Sequence, residues 1–492
     1  MLVIMKVGFV SLGCSKNLVD TEMLIGLFKE NSYEIVNKVE EAEIIVVNTC
    51  GFIKSAKEEA INTIIEMGQY KEKGKCKYLI VTGCLVERYK KELRKCMPEV
   101  DLFLKVSEYE NVWKKISFVI DRKGYKTNKK VEDNVALDEN EKNIFEQRFN
   151  QFELDYNNRV ITTGDTTAYL KIAEGCSNFC TYCTIPYIRG KFVSRKMEDV
   201  LKEAKELAEK GIKELIIVAQ DTSKYGIDIY GEYKLAELLH KISKIEGFKW
   251  IRFLYTYPES ITDELIEEVK NNDKICKYFD MPIQHISNNI LKRMNRKSTK
   301  ETIMNVIEKI RKNIPDVVIR TTLIVGFPGE TTEDFNELYK FVEKTKFDKL
   351  GVFSYSKEEG TPAAKFEKQL HYRTKQQRNE AIMNIQKAIM NEKLEKMVMK
   401  EYEVVIDGIT EDGKFYIART KQDAPDVDSI VYLNKRDAKN LTGKFVNCLI
   451  TKHNGYDLVG EIVWFLTNYV MARIIWEWLN NKFKKVIIHS LF

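Results

Sequence analysis

Three cysteines within one short stretch of the chain have the spacing of metal ligands. Cys176, Cys180 and Cys183 lie in AEGCSNFCTYCTIP, residues 173–186, and are separated by three and then two residues. A loop of this length can direct all three thiolates to one point. A structural zinc site takes four protein ligands, but no other cysteine or histidine is nearby in sequence. The loop therefore leaves one coordination position for a ligand that is not protein.

A second set of three cysteines is spread over the first hundred residues. Cys14, Cys50 and Cys84 each follow an apolar run by no more than about four residues. If these runs are parallel strands, their carboxyl ends meet where open α/β sheets hold ligands; the alternative is three buried cysteines acting as small apolar side chains. Asn17 and Asn48 flank this trio, and either position loops or substrate or cap turns. The remaining cysteines share no such placement and are expected to be structural thiols: Cys76, Cys96, Cys276 and Cys448.

Three thiolates with one open position favour an iron–sulfur cluster over zinc. A cubane held by three cysteines leaves one iron free for an exogenous ligand. Polar residues suited to a small cofactor follow other apolar runs, with Gln220 and Asp221 in AQDT and Gly326 and Glu330 in GFPGET. Glycine permits close approach of the backbone. The alternative for GFPGET is a tight turn before a helix.

The apolar runs predict the elements that position these residues. Residues 1–120 alternate apolar and amphipathic stretches, which predicts a doubly wound parallel α/β sheet domain. Residues 121–165 are polar without a clear period and are predicted to be a linker. Residues 166–400 hold six strand–helix units and a long helical return, which predicts a partial (β/α)6 barrel with its chemistry at the carboxyl ends of the strands. Ser298 with Glu301, and Thr331, predict two of its helix starts.

The end of the chain changes character twice. Residues 401–463 form short alternating runs separated by turn residues, which predicts a small all-β barrel. This segment carries 11 acidic and 8 basic residues, a net charge of −3, whereas a module that binds phosphates is basic. Residues 464–492 form an apolar, aromatic tail with one polar stripe. Three contacts remain open for this tail: a partner protein, the terminal barrel and a membrane surface. The membrane is the least expected of them.

The composition is that of an ordinary soluble protein. The 492 residues suit two to four domains, and 44% of them are hydrophobic and 31% charged. The net charge of +6 does not by itself indicate a nucleic-acid partner. Ten cysteines without a secretory signal are typical of reduced thiols and metal ligands, and there is no membrane-spanning apolar run. We therefore expect a cytoplasmic protein.

These motifs together resemble the radical S-adenosylmethionine superfamily. Its hallmark is a CxxxCxxC loop with an aromatic residue before the last cysteine, here Tyr182. There S-adenosylmethionine chelates the free iron through its amino and carboxylate groups. Over residues 5 to about 463, the N-terminal trio, the barrel and a terminal barrel similar to the TRAM module resemble the methylthiotransferases. The resemblance implies two 4Fe-4S clusters, a radical cluster on Cys176, Cys180 and Cys183 and an auxiliary cluster on Cys14, Cys50 and Cys84.

Four stretches resemble the branch that modifies an aspartate of the twelfth small-subunit ribosomal protein rather than adenosines of transfer RNA. They are SLGCSKNLVDTE at 11–22, YTYP at 255–258, DMPIQH at 280–285 and DAPDVD at 423–428. The acidic terminal segment agrees, because it attracts a basic ribosomal protein better than an RNA backbone. The resemblance implies that S-adenosylmethionine is both methyl donor and radical source. It also implies an electron donor such as flavodoxin or ferredoxin, and no stable nucleic-acid binding.

Side chains suited to acid–base catalysis are few, with five histidines in 492 residues, and we expect none to act as catalytic acid or base. His285 either contacts substrate or is structural. Arg189 and Arg195 either meet a carboxylate or are solvated surface charges. As alternatives in function, a two-cluster electron-transfer or scaffold protein predicts four cysteines for each cluster, and a zinc-dependent RNA-binding module predicts a basic face. Both fit the sequence poorly.

Overall fold

The computed structural model describes residues 5–124, 156–435 and 440–463. The chain divides into two compact units, Met1–Ile389 and Met390–Phe492. Most of the predicted linker and the whole of the predicted tail, residues 464–492, lie outside the described residues. The contact predicted for the tail therefore lies outside them too. Within the described ranges, no helix combines the length and the apolar character needed to cross a membrane.

A five-stranded parallel sheet opens the first unit. Its strands are β1 (Lys6–Ser11), β2 (Glu34–Val36), β3 (Ile44–Thr49), β4 (Tyr78–Gly83) and β5 (Leu102–Leu104), in the order β2-β1-β3-β4-β5. Its helices are α1 (Ser15–Glu30), α2 (Lys54–Gly68), α3 (Tyr70–Lys73), α4 (Cys84–Cys96) and α5 (Val112–Gly124). Side chains of α2 and α4 pack on one face, and those of α1 and α5 on the other. Burial on both faces explains the continuous apolar strands and confirms the doubly wound prediction.

The same unit continues into a partial barrel of six parallel strands, as predicted. These are β6 (Thr167–Lys171), β9 (Glu214–Val218), β10 (Trp250–Phe253), β11 (Tyr278–Asp280), β12 (Val318–Val325) and β13 (Lys349–Ser354); β7 (Ala173–Glu174) and β8 (Val193–Ser194) form a small hairpin. The sheets β6-β9-β10 and β11-β12-β13 are joined by a parallel bridge between Ile251 and Ile275.

Helices connect these strands and cover the barrel. They are α6 (Ile185–Arg189), α7 (Met197–Glu209), α8 (Ile227–Tyr230), α9 (Leu235–Ser243), α10 (Asp263–Asn271), α11 (Asn288–Arg293), α12 (Lys300–Asn313), α13 (Thr332–Thr345) and α14 (Tyr372–Glu395). One large core lies between the strands and these helices. The carboxyl ends of the six strands therefore form one rim on which loops meet.

One predicted helix start is confirmed and the other is wrong by one residue. The Thr331 hydroxyl accepts a hydrogen bond from the amide of Asp334, whose carboxylate accepts the Thr331 amide, so Thr331 caps α13. Helix α12 is capped by Thr299 and not by Ser298. Ser298 instead donates its hydroxyl to the carboxylate of Glu259, a distant partner that no local pattern predicts.

The second unit contains the predicted small barrel. Its strands are β14 (Glu401–Ile409), β15 (Phe415–Thr420), β16 (Val431–Asn434), β17 (Phe445–Asn454) and β18 (Asp457–Ile462), closed in the order β14-β15-β16-β18-β17. Alternate side chains of the strands fill the interior, among them Val404, Ile406 and Leu433. Among the described residues, closure pairs each strand of this barrel on both sides.

Candidate functional site

Three neighbouring strands of the first sheet each end at one cysteine of the N-terminal trio. Cys14 lies between β1 and α1, Cys50 follows β3, and Cys84 opens α4 directly after β4. Strands β1, β3 and β4 are adjacent in the sheet. Their carboxyl ends bring the three loops to one edge, as the sequence predicts.

The loops of Cys14 and Cys50 pack so closely that one position requires glycine. Gly13 has a φ of +95°, and a Cβ there would lie 2.8 Å from the Cβ of Cys50 and 3.2 Å from its Sγ. A larger residue would be strained by its backbone angle and would push the two loops apart. Gly13 is therefore a requirement of the cysteine arrangement.

Asn17 and Asn48 tie the same loops together. Asn17 donates its Nδ2 to the carbonyl oxygens of Leu12 at 2.8 Å and Thr49 at 3.1 Å. Asn48 donates to the carbonyl of Asn17 at 2.9 Å and to the Thr21 hydroxyl at 3.0 Å. Of the two roles that the sequence left open, both asparagines position loops.

The electrostatics of this trio suit ligands that lose a proton on binding metal. Burial raises the pKa of Cys84 to about 11 and also raises that of Cys50, so both thiols are neutral at pH 7 without metal. The guanidinium of Arg189 lies 3.5 Å from the Sγ of Cys84, where it stabilises a thiolate. Metal binding displaces such protons. Three thiols and one guanidinium thus fit an anionic iron–sulfur cluster.

The second trio lies on the loop between β7 and α6. The amide of Cys176 donates to the carbonyl of Gly190 at 3.1 Å, and that of Cys183 to Cys180 at 3.0 Å. Gly175 has a φ of +70°, and a Cβ there would collide with the Lys191 carbonyl at 2.2 Å. Burial raises the pKa of Cys176 to about 12. This donor set also fits a cluster.

Loops from the far side of the barrel hold the cluster loop in place. The Thr181 amide donates to the Met294 carbonyl at 3.0 Å, and Asn295 donates its Nδ2 to the Phe179 carbonyl at 3.0 Å. The Ala363 amide donates to the Thr181 carbonyl at 2.9 Å. Among the described residues, no three His, Cys, Asp or Glu side chains are arranged for a single metal ion.

Gln220 and Asp221 follow β9, at the rim beside the cluster loop, but only Gln220 has an unused polar atom. The Oε1 of Gln220 is buried and has no partner within the described residues. The carboxylate of Asp221 accepts from Asn178 Nδ2 and the Ser223 hydroxyl, both at 2.8 Å, and pairs with Lys224 at 3.4 Å. Asp221 therefore anchors the cluster loop to the end of β9, and its cofactor contact stays a prediction.

Gly326 and Glu330 form the turn after β12. Gly326 has a φ of +71°. The Glu330 carboxylate accepts from the Phe327 amide at 3.0 Å and from Arg378 at 2.6 Å. Glu330 is 4% exposed, so it holds the turn, and direct cofactor contact by either residue stays a prediction. Tyr182 packs against the apolar cluster that includes Phe327.

Arg296 belongs to this site although no sequence motif indicates it. Its guanidinium lies 4.2 Å from the Tyr257 ring centroid, and its Nη2 donates to the Pro282 carbonyl at 2.9 Å. Its Nε and Nη1 are buried without a partner among the described residues. Cys180 and Tyr182 are among the groups that interact with its charge. A buried guanidinium with two unused donors is suited to a carboxylate.

His285 has an Nε2 without a hydrogen-bond partner among the described residues, so substrate contact and a structural role both stay predictions. It is fully buried, and its Nδ1 accepts the Ser287 amide at 3.0 Å. Burial lowers its pKa to about 3, although the carboxylate of Asp334 opposes the shift. The imidazole is therefore uncharged at neutral pH.

Arg189 and Arg195 are buried, so the prediction of solvated charges is wrong and that of carboxylate partners is confirmed. Arg189 donates to Asp20 and to the side-chain oxygen of Asn17, both at 2.6 Å. Arg195 donates to Glu203 at 2.5 Å. These carboxylates belong to the chain itself.

Three family models match the chain. They are the uncharacterized protein family UPF0004 over residues 6–105, the radical SAM superfamily over 170–342 and the TRAM domain over 398–463. The ribosomal protein uS12 methylthiotransferase RimO of Alkaliphilus oremlandii is 59% identical over 93% of this chain and 99% of its own. That of Acetivibrio thermocellus is 51% identical over 93% of this chain and 98% of its own.

A solved structure shares the fold. The radical S-adenosylmethionine methyltransferase TsrM from Kitasatospora setae, with cobalamin and a 4Fe-4S cluster bound, aligns with a TM-score of 0.52. The alignment covers 73% of this chain and 77% of that one, with 13% sequence identity. A likeness at this identity concerns the architecture alone.

Proposed function

The chain belongs to the ribosomal protein uS12 methylthiotransferases, and on that premise we propose that it inserts a methylthio group at the β-carbon of an aspartate of uS12. As a radical SAM enzyme it uses a 4Fe-4S cluster and S-adenosylmethionine. The observation that carries the proposal is the nearness of the two cysteine trios. Arg189 contacts both Cys84 and Glu174, and Glu174 lies two residues before Cys176.

Each trio is assigned one cluster. Cys176, Cys180 and Cys183 would hold the radical cluster, and Cys14, Cys50 and Cys84 an auxiliary 4Fe-4S cluster. When bound, the first cluster and S-adenosylmethionine supply the radical that breaks an unactivated C–H bond, and the second carries the sulfur that is methylated and inserted. Cysteines in sets of three, of which Cys84, Cys176 and Cys180 are buried, support this division.

The side chains around the cluster loop bind and orient S-adenosylmethionine. Arg296 receives its carboxylate on Nε and Nη1, because these buried donors have no other partner within the described residues. Gln220 offers Oε1 to a donor group of the cofactor. Asp221 and Glu330 act through the loops that they hold, and Tyr182 packs beside the last cysteine.

The electron donor and the compartment complete the proposal. A small redox protein such as flavodoxin or ferredoxin supplies the electrons. None of the ten cysteines forms a disulfide bond, which supports a reducing compartment and so the cytoplasm. Methylthiolation of transfer RNA adenosine is the second candidate, favoured by the TRAM match at residues 398–463 and opposed by the acidic charge of that segment.

Mass spectrometry of two substrates in one tube tests the function. Anaerobically reconstituted enzyme receives S-adenosylmethionine, reductant, sulfide, uS12 and unmodified transfer RNA. We expect a methylthio mass gain on one aspartate peptide of uS12. A methylthio-adenosine in its place would contradict the substrate, and deoxyadenosine with neither product would contradict both substrates while leaving the radical chemistry intact.

Cysteine variants separate the two clusters in the same assay. Cys180→Ala is expected to abolish deoxyadenosine and product, because the radical cluster loses a ligand. Cys14→Ala is expected to abolish the product and keep deoxyadenosine formation. Cys96→Ala is the matched control, since this exposed cysteine lies outside both trios, and it is expected to behave as the wild type.

A further inference from the structure

Lys16 is a buried lysine without a carboxylate partner. Lys16 is 7% exposed, and within the described residues no carboxylate oxygen forms an ion pair with its ammonium. The Nζ lies instead 3.3 Å from the ring centroid of Tyr255. Buried lysines are normally paired, because removing an ammonium from water is costly. A cation–π contact recovers only part of that cost.

The position of Lys16 on its helix adds a second cost. It is the second residue of α1, whose first turn contains no acidic side chain. The amino end of a helix carries partial positive charge and favours anions. A cation therefore lies in the first turn of a helix whose amino end carries charge of the same sign, and both would be stabilised by an anion bound at this place.

That place lies between the N-terminal trio and the rim of the barrel. Lys16 is two residues from Cys14, while Tyr255 follows β10. Tyr255 is held at a φ of +64°, with its amide donating to Asp280 Oδ2 at 3.0 Å. The Asp280 carboxylate is already paired with Arg320 at 2.8 Å. Three of the four stretches typical of the protein-modifying branch thus meet at Lys16, Tyr255 and Asp280.

We propose that Lys16 binds the carboxylate of the substrate aspartate, an inference that rests on the proposed function. The carboxylate carbon of aspartate is bonded directly to the β-carbon that reacts. Whichever group receives the carboxylate must therefore lie beside the reacting atom, between the two trios. Lys16 has that position, and within the described residues its ammonium forms no ion pair with a carboxylate. An adenosine carries no carboxylate, so Lys16 is a determinant of substrate specificity.

Binding of two forms of uS12 to the reconstituted holoenzyme tests the role. One is the natural protein and the other has asparagine at the target aspartate; anaerobic calorimetry gives both Kd values. We expect the wild type to prefer aspartate by about ten-fold or more, as for a charge-assisted contact. Lys16→Met is expected to abolish the preference by weakening the aspartate form alone. Lys16→Arg keeps the charge and is expected to retain part of the preference.

Controls distinguish a role of Lys16 in substrate binding from a role in holding the cluster or in stabilising the fold. Lys90→Met removes another poorly exposed lysine of the same domain, paired with Glu108 at 2.8 Å, and is expected to keep the full preference. The iron content and visible spectrum of Lys16→Met are expected to match the wild type. Equal weakening of both uS12 forms, or a changed spectrum with the preference intact, would overturn the proposal. If the wild type does not methylthiolate uS12 at all, the proposed function fails, and this inference fails with it.

Discussion

At the residue scale, the unpaired nitrogens of Arg296 have a consequence for cofactor affinity. A buried guanidinium with two unused donors is destabilising unless a ligand uses them. We predict that Arg296→Met weakens binding of S-adenosylmethionine about ten-fold or more, with the iron content unchanged. Arg296→Lys is expected to recover little, because an ammonium does not reproduce the planar fork. Equilibrium dialysis with labelled S-adenosylmethionine measures both.

Arg311→Met is the control for Arg296. Arg311 lies on α12 and donates to the Thr345 carbonyl at 2.5 Å, away from the cluster loop. We expect its removal to leave the dissociation constant for S-adenosylmethionine unchanged. If Arg296→Met binds the cofactor as the wild type does and is more stable, the unpaired nitrogens of Arg296 destabilise the fold and do not bind S-adenosylmethionine.

At the element scale, α1 is joined to the barrel by a buried ionic cluster. Asp20 of α1 pairs with Lys171 at 2.5 Å and with Arg189 at 2.6 Å, and Glu174 pairs with both cations. All four side chains are at most 2% exposed. Burial acts to raise the pKa of Asp20, but the two cations outweigh it and the pKa is lowered. The carboxylate is therefore ionised and depends on its partners.

Removing Arg189 is predicted to destabilise this junction. Arg189→Met leaves two carboxylates with one cation, and loss of a partner from a buried pair costs about 3 to 5 kcal/mol. Urea unfolding of the metal-free protein measures the loss. Lys205→Met is the control, since its side chain is 72% exposed and surface pairs contribute about 0 to 1 kcal/mol. Adding Asp20→Asn is expected to restore part of the stability; a double variant as unstable as the sum of the two singles would argue against coupling.

Local pattern predicted the elements of this protein better than the partners of its buried charges. The two cysteine trios and the strands before them were predictable, because strand periodicity and parallel topology act over short stretches. The pairing of Arg189 and Lys171 was not, because Asp20 lies 151 residues from Lys171 and 169 from Arg189 and no local signal marks the contact. Arg296 lies in the basic stretch RMNRKST, whose composition is the same as that of a solvent-exposed segment. Burial of a charge is decided by packing, which sequence spacing does not report.

At the scale of the whole molecule, the charge is unevenly distributed. The chain has a net charge of +6, but residues 401–463 have a net charge of −3. The exposed acidic side chains of this segment include Glu401 and Glu411. A basic substrate protein is attracted to such a surface, and the attraction is screened by salt.

Reversing these charges is predicted to weaken substrate capture more than turnover. In the double variant Glu401→Lys with Glu411→Lys, we expect the KM for uS12 to rise several-fold at low salt and kcat to change little. The difference should shrink as salt increases, because the Debye length falls from about 10 Å at 0.1 M to about 3 Å at 1 M. The control makes the same charge change at the exposed Glu308 and Glu343 of α12 and α13. If the control raises KM equally, total charge and not the acidic terminal segment governs the encounter.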